Sequence, residues 1–340
     1  MISVLLCFKY PNVEDPNACH AGLGVTASNC AMSLREVRID ADAFPITNGE
    51  YLWAKLNTVW LHYTHVVMSA PFIDSVFLGK LCTAFPLVHF AVVYHSNLGF
   101  LSVDRFAAHS LPLLLALEAA HPNFTVAANC AEMANAITGA TGTPLTLLPN
   151  LYHLPALTQR AKGRWMPPMA MNVGLFGAAR VLKNWLTAVV AVLMLQRKVQ
   201  VPITLNINSG RDEGAGGTRA SLADLLTLNS GVKLVEVPWM SSDDFHRYLF
   251  GMDLLFQPSF TETFNNITAD GVSCGVPSVI SDSITWAPAD WMAKADSASD
   301  CADVALHLLT DATAPARGWQ ALDSYNTNSM AHWHMWLAAA

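Results

Sequence analysis

Apolar residues in this chain fall in short, unbroken runs separated by polar, proline- or glycine-bearing stretches. In the first half, residues 2–8 (ISVLLCF), 65–69 (HVVMS), 87–94 (LVHFAVVY) and 124–128 (FTVAA) read as strands. In the second half, residues 172–176 (NVGLF), 202–207 (PITLNI), 233–237 (KLVEV), 253–257 (DLLFQ) and 277–280 (PSVI) do the same. Runs this short and apolar, without strict alternation, suit strands buried on both faces of a parallel sheet. Helical stretches alternate with them: residues 25–35, 130–138, 184–197, 243–250, 262–274, 300–309 and a terminal helix or pair over 318–337. Asn129, Ser242 and Ser299 are the expected N-caps of the second, fourth and sixth. Strand alternating with helix predicts an α/β fold with crossover connections.

The most informative stretch is 259–281, SFTETFNNITADGVSCGVPSVIS. It reads as a loop, a helix over 262–274, a left-handed stop at Gly275 and the next buried strand, closing a βαβ unit. Backbone N–H groups near Phe264, Asn265 and Asn266 would lack intrahelical partners and offer an anion site aided by the helix dipole. Glu262 would accept hydrogen bonds from ligand hydroxyls. Asp270, eight residues on and a little over two helical turns away, would lie on roughly the same face. A second turn, 177–184 (GAARVLKN), places Arg180 and Lys183 between a strand and a helix. There they either hold a diphosphate, Arg as a planar fork and Lys as a point charge, or begin a helix as solvated charges. His95 follows the strand 87–94 within His-Ser-Asn, at the sheet end where open α/β folds place ligands, or is a packing histidine. Gly22 and Gly24, in the Gly-Leu-Gly after the first strand, either let a phosphate or sugar approach the backbone or make a simple turn. Trp239 either stacks on a nucleobase or edges the core.

These residues resemble the E-x7-E pattern of retaining glycosyltransferases of GT-B architecture, the family 4-like or group 1 enzymes, with Glu262 and Asp270 as the two acids. The trailing ADGVSCGVPSV is similar to that family's E-A-x-x-x-G-x-P-V-V. The resemblance implies two Rossmann-like domains facing each other across a cleft. Residues 1–160 would take the acceptor and 161–320 the nucleotide-sugar donor, with 321–340 a helix packing back on the first domain. It assigns Glu262 and His95 to the transferred sugar, Asp270 to the ribose, and Arg180 and Lys183 to the leaving diphosphate. Phe264, Asn265 and Asn266 would line the helix start, Gly22 and Gly24 the donor phosphate and acceptor, and Trp239 the nucleobase. Four departures stand out: Asp rather than Glu at 270, Asn265 where a glycine often follows the Phe, Leu151 where Pro149-Asn150 usually precedes a glycine, and an Arg180 closer to the lysine. No D-x-D metal site of the other glycosyltransferase architecture is identified, so the resemblance implies metal-independent transfer with no cofactor. The donor would be a UDP- or GDP-sugar. The acceptor is unspecified: a glycan, a lipid-linked sugar, a protein or a modified nucleic-acid base. A non-catalytic GT-B-like scaffold and a sugar-nucleotide isomerase or phosphorylase are the competing readings.

Composition adjusts this picture at few points. The 340 residues suffice for two domains. Charged residues make up 13%, against about 25% usually, as buried parallel strands require. The net charge of -7 disfavours nucleic acid as the main partner. Seven cysteines without a C-x-x-C pair point to free thiols in a reducing compartment, hence a cytoplasmic protein. The start lacks a basic region before its apolar run, so no signal peptide is expected. Residues 185–195 are too short to span a bilayer, and the sequons at Asn123 and Asn266 carry no weight. Residues 158–168 (TQRAKGRWMPP) read as an interdomain linker whose Arg160, Lys162 and Arg164 are a solvated hinge or a phosphate- or lipid-facing patch. His332 and His334, two residues apart with no carboxylate or cysteine set, make a poor metal site.

Overall fold

The computed structural model describes residues 2–14, 22–59, 62–155, 169–209, 211, 213 and 217–339. The predicted linker at 158–168 lies outside them. The chain divides into two compact units, one of residues 1–153 with 326–340, the other of 154–325.

The first unit runs β1 (Ser3–Lys9), α1 (Gly22–Glu36), β2 (Asp40–Ile46), α2 (Gly49–Val59), β3 (His65–Met68), α3 (Ser75–Ala84), β4 (His89–Tyr94), α4 (Arg105–Ala120), β5 (Phe124–Ala128), α5 (Ala131–Thr141) and β6 (Thr146–Leu147). The second runs β7 (Met171–Leu175), α6 (Trp185–Val199), β8 (Ile203–Asn208), α7 (Thr218–Leu226), β9 (Val232–Val237), α8 (Ser242–Leu249), β10 (Leu254–Gln257), α9 (Asn266–Ser273), β11 (Ser278–Ile280) and α10 (Ala298–Thr310). The terminal helix α11 (Ala314–Ala339) is shared between the units, which divide it at Asn326.

Among the described residues the strands form two sheets, of six strands in the order β2-β1-β3-β4-β5-β6 and of five in the order β11-β10-β7-β8-β9. Every pairing is parallel. The central strands β3 and β10 are buried at all four positions, as their unbroken apolar runs require. The order reverses between β1 and β3 in the first sheet and between β7 and β10 in the second. Ligands of open α/β sheets bind beyond the strand ends at such switch points.

The core of the first unit lies on both faces of its sheet. One face collects Leu5, Val66, Phe90 and Leu114, the other Val4, Phe8, Leu34 and Val93 with Trp333, Trp336 and Leu337 of α11. The two indoles are also anchored by hydrogen bonds, Trp333 Nε1 to the Pro149 carbonyl at 2.8 Å and Trp336 Nε1 to Thr125 Oγ1 at 3.2 Å. Met335, expected to dock beside them, is exposed. Asn123 is buried in this unit, its Nδ2 donating to the Cys82 and Val88 carbonyls at 3.1 Å each.

Several element ends shift from their expected places. Ser241, not Ser242, caps α8, and Ser297, not Ser299, caps α10. Cys130 stands at the N-cap of α5 without a side-chain bond. Asn129 instead turns to His95 and Asn150. The six described cysteines are buried and free. Among the described residues no helix is long and apolar enough to cross a membrane. One D-x-D triplet, passed over in the sequence, does occur as Asp40-Ala41-Asp42 on β2. Its acids are already engaged: Asp40 accepts from Ser3 Oγ at 3.1 Å, and Asp42 from Tyr63 Oη at 2.8 Å and Arg35 at 2.5 Å.

Gly271 on α9 lies close against the second sheet. A Cβ there would meet Leu255 Cδ1 at 2.6 Å and the Val276 backbone oxygen at 3.1 Å. Alanine gains about 1 kcal/mol of helix propensity over glycine, whereas overpacking costs about 1–3 kcal/mol. The second should win, because one obstacle is backbone. Gly271→Ala is expected to lower the urea midpoint, and a midpoint at or above the native value would show that α9 has room to move.

Candidate functional site

Two turns stand side by side at the switch point of the second sheet, one after β7 and one after β10. The first passes Gly177, whose N–H is held by Asn208 Oδ1 at 2.9 Å, and reaches a single 3-10 turn, Val181–Lys183, with Arg180 at its N-cap. Asn184 follows in the left-handed region at φ 57° and begins α6. The second runs from Pro258 to Asn265. The Phe260 N–H donates to the Leu182 carbonyl at 2.9 Å, and Asn184 Nδ2 donates to the Pro258 carbonyl at 3.0 Å. The turns are thus joined by one backbone bond and one asparagine amide before any charge is considered.

Lys183 Nζ and Glu262 form an ion pair across them, their side chains 16% and 15% exposed. Glu262 Oε1 also accepts from Ser259 Oγ at 3.2 Å and Asn265 Nδ2 at 3.3 Å. A carboxylate so enclosed needs these donors, since a charge taken out of water unpaired costs several kcal/mol. Glu262 lies before the helix rather than inside it: α9 begins at Asn266. The Thr-rich segment 261–263 is spent on the turn.

Asn265 explains the late start. It is the N-cap at φ 65°, and its Oδ1 accepts the Thr268 N–H at 2.9 Å. Its Nδ2 reaches Gln257 Oε1 at 3.1 Å as well as Glu262. Left-handed backbone favours glycine, and asparagine is the side chain that tolerates it best, which accounts for the departure noted at this position. One first-turn donor is consequently used by the cap. Phe264 is a core anchor: its ring stacks on Trp286 with centroids 5.5 Å apart, and its carbonyl accepts from Trp286 Nε1 at 2.5 Å. Asn266 opens the helix, and Gly275 at φ 69° ends it as expected.

The other predicted residues have different company. Asp270 is buried, and its Oδ1 lies 3.1 Å from His246 Nε2 on α8. Because α9 starts after Glu262, the expected shared helical face of the two acids does not exist. Burial works against a charged imidazole, but the bond to Asp270 and the charges of Asp270 and Asp243 prevail and raise His246 above the ordinary histidine value. Arg180 pairs with Glu213, Nε to Oε2 at 2.5 Å, and Arg211 Nε lies 2.6 Å from the other oxygen. Burial alone would raise Glu213; Arg180 and Arg211 outweigh it and hold the carboxyl below its usual range. Trp239 is 39% exposed, with the Arg211 guanidinium 5.0 Å above its ring. Sequence reasoning missed Arg211, Glu213 and His246. The first two sit in a loop without periodicity, and His246 is one of 12 histidines.

His95, Gly22 and Gly24 belong to the first unit. Gly22 and Gly24 are residues of α1 rather than of a loop before it, Gly24 buried against its neighbours. His95 follows β4 and takes Asn129 Nδ2 at 3.3 Å on its Nδ1. An amide nitrogen only donates, so His95 carries its proton on Nε2. Burial lowers its value to about 4, keeping it neutral. It lines a small cavity with Ser69, Asn150, Cys30 and Trp333. Among the described residues one set has the spacing of metal ligands, Asp290, His307 and Asp311. Arg317 bonds both acids, so the set is an ion-pair network centred on a guanidinium.

The raised His246 has a sign that can be tested. Its stabilising effect is complete below the ordinary histidine value and is lost as pH rises through the higher folded value. The difference in Tm between the native chain and Asp270→Asn is expected to be widest on the acid side of neutrality and to shrink in alkali. A difference constant between roughly pH 5 and 9 would remove the charged pair from the account.

No family model matches the chain, and no curated protein matches it. Solved structures do. Anabaena HepE, determined in complex with UDP, is 14% identical, covers 96% of this chain and 95% of its own, and superposes with a TM-score of 0.61. Sucrose-phosphate synthase from Thermosynechococcus elongatus is 14% identical over 99% of this chain and 96% of its own, with a TM-score of 0.65. An α,α-trehalose-phosphate synthase (UDP-forming) from Burkholderia vietnamiensis is 9% identical over 100% and 95%, with a TM-score of 0.62. At such identities the likeness speaks for architecture: the chain has the α/β fold of two Rossmann-like units found in GT-B glycosyltransferases.

Proposed function

We propose that the chain is a retaining, metal-independent glycosyltransferase that takes a sugar from a nucleoside-diphosphate donor, with UDP the first candidate nucleotide. The observation that carries this reading is the Lys183–Glu262 pair at the switch point of a GT-B-type second unit. An ammonium and a carboxylate on adjoining turns offer a diphosphate and a sugar hydroxyl their natural partners within one site. The fold neighbours solved with UDP or named for forming it support the choice of nucleotide.

In this reading Lys183 and Arg180 hold the diphosphate, Glu262 orients the sugar, and Asp270 accepts from the ribose. The bond from the anomeric carbon to the diphosphate oxygen breaks, and the acceptor oxygen bonds to that carbon on the same face. The acceptor's proton passes to the departing diphosphate, so no side chain need act as base. The transition state gathers negative charge on the diphosphate, and fixed donors aimed there lower the barrier. A scaffold function has one observation in its favour: Asp270, Arg180 and Glu262 are each already bonded within the chain.

Calorimetric titration of UDP, GDP and ADP separates the two. The native chain is expected to bind one of them, and Lys183→Ala to lose it while keeping its circular dichroism. With a donor sugar in hand, Lys183→Ala should transfer about 10²–10³-fold more slowly, and NMR of the product should show the donor's anomeric configuration. If the folded native chain binds none of the three nucleotides, the scaffold function takes precedence. An inverted product would discard the retaining mechanism alone.

A further inference from the structure

Two guanidiniums converge on a single carboxylate beside the turn after β7. Arg180 takes Oε2 of Glu213 and Arg211 takes Oε1, at 2.5 and 2.6 Å. Backbone holds the group in register: the Ala179 N–H donates to the Arg211 carbonyl at 3.1 Å, and the Glu213 N–H to the Ala179 carbonyl at 2.9 Å. Arg211 is further placed by the Trp239 ring, 5.0 Å beneath it. The arginine side chains are 33% and 37% exposed and the glutamate 29%. Ion pairs this open contribute little to folding, so stability does not account for the arrangement. What it does provide is a pair of planar forks set for two anionic oxygens, with one positive charge in excess. It adjoins β7, β8 and β9 at the ends where the sheet is expected to receive a ligand.

We propose that Arg180 and Arg211 together form a diphosphate-binding subsite, and that Glu213 is a built-in competitor which the ligand's diphosphate displaces. This rests on the donor reading above and extends it to two residues that no motif marks. Glu213 stands where a phosphate oxygen pair would stand. It keeps the two guanidiniums from repelling one another and leaves when a doubly charged group offers each fork a better partner. Arg211, held over Trp239, would then couple diphosphate binding to whatever packs on that indole.

The test uses inorganic pyrophosphate and UDP, titrated calorimetrically into the native chain, Glu213→Gln, Arg180→Gln and Arg211→Gln, each checked by thermal melt. Glu213→Gln keeps the side chain's shape and removes the competing charge, so both ligands should bind about tenfold tighter. Each arginine variant should bind both about tenfold more weakly. Where Arg211→Gln fails to melt cooperatively, Arg211→Lys keeps the charge without the fork and should fall between. Unchanged or weaker binding by folded Glu213→Gln overturns the competitor. Native affinity in the Arg211 variants, or no pyrophosphate binding by any chain, overturns the subsite. UDP binding that depends on Lys183 but ignores Arg211 and Glu213 sinks this inference and spares the donor reading. Pyrophosphate binding through Arg211 with no nucleotide bound does the reverse.

Discussion

The ion pair between Lys183 and Glu262 is the constraint on which the second unit's site depends. Both groups are largely withdrawn from water, and removing one partner of such a pair costs about 3–5 kcal/mol, because the other is left uncompensated. The pair therefore has to be held, and the surrounding backbone is built to hold it. Asn184 and Asn265 flank it in left-handed conformations at φ 57° and φ 65°. Each offsets that strain by hydrogen bonds from its own side chain. Asn184 bonds the Pro258 and Ala295 carbonyls, and Asn265 bonds Gln257, Glu262 and the Thr268 N–H. Sites that break local backbone rules in this way need neighbours that over-determine them.

What the sequence made legible follows from burial. Strands in the middle of a parallel sheet must be apolar on both faces, and these were found within a residue or two, β5 to the residue. Two strands went unseen, the two-residue β6 and β2, DADAFPI; β2 has acids at two positions and a proline. It lies at the sheet edge, where one side needs no partner and proline is tolerated. The helices α2, α3, α4 and α7 were missed: α3 and α4 are apolar at most positions, so no single face stands out by its period, and α4 contains Pro112. Caps slid by one or two residues wherever several serines or asparagines compete, since any of them bonds a first-turn N–H.

The site was legible in its parts more than in its pairings. Lys183 and Glu262 were both singled out, yet one was placed on phosphate and the other on sugar, and nothing in their spacing says that they touch. That contact depends on β7 and β10 being neighbours, a fact of sheet order rather than of local sequence. Arg211 and Glu213 carry no periodic signal. Their pairing with Arg180 emerges only when β7 and β8 are seen side by side, with the Ala179 backbone after β7 bonded to the loop after β8.

Asp270 shows how a departure from a familiar pattern can be absorbed. One methylene shorter than glutamate, it reaches less far from α9. It also has fewer torsions to fix, and ordering a side chain costs free energy for each rotor it loses. His246 on α8 fixes what remains by bonding Oδ1, while Cys274 Sγ approaches the His246 carbonyl at 3.6 Å from the end of α9. Two helices are tied together at the point where the acid stands. The raised imidazole carries positive charge there to a higher pH than a free histidine would. The shorter acid is thus oriented by a neighbour instead of by its own length.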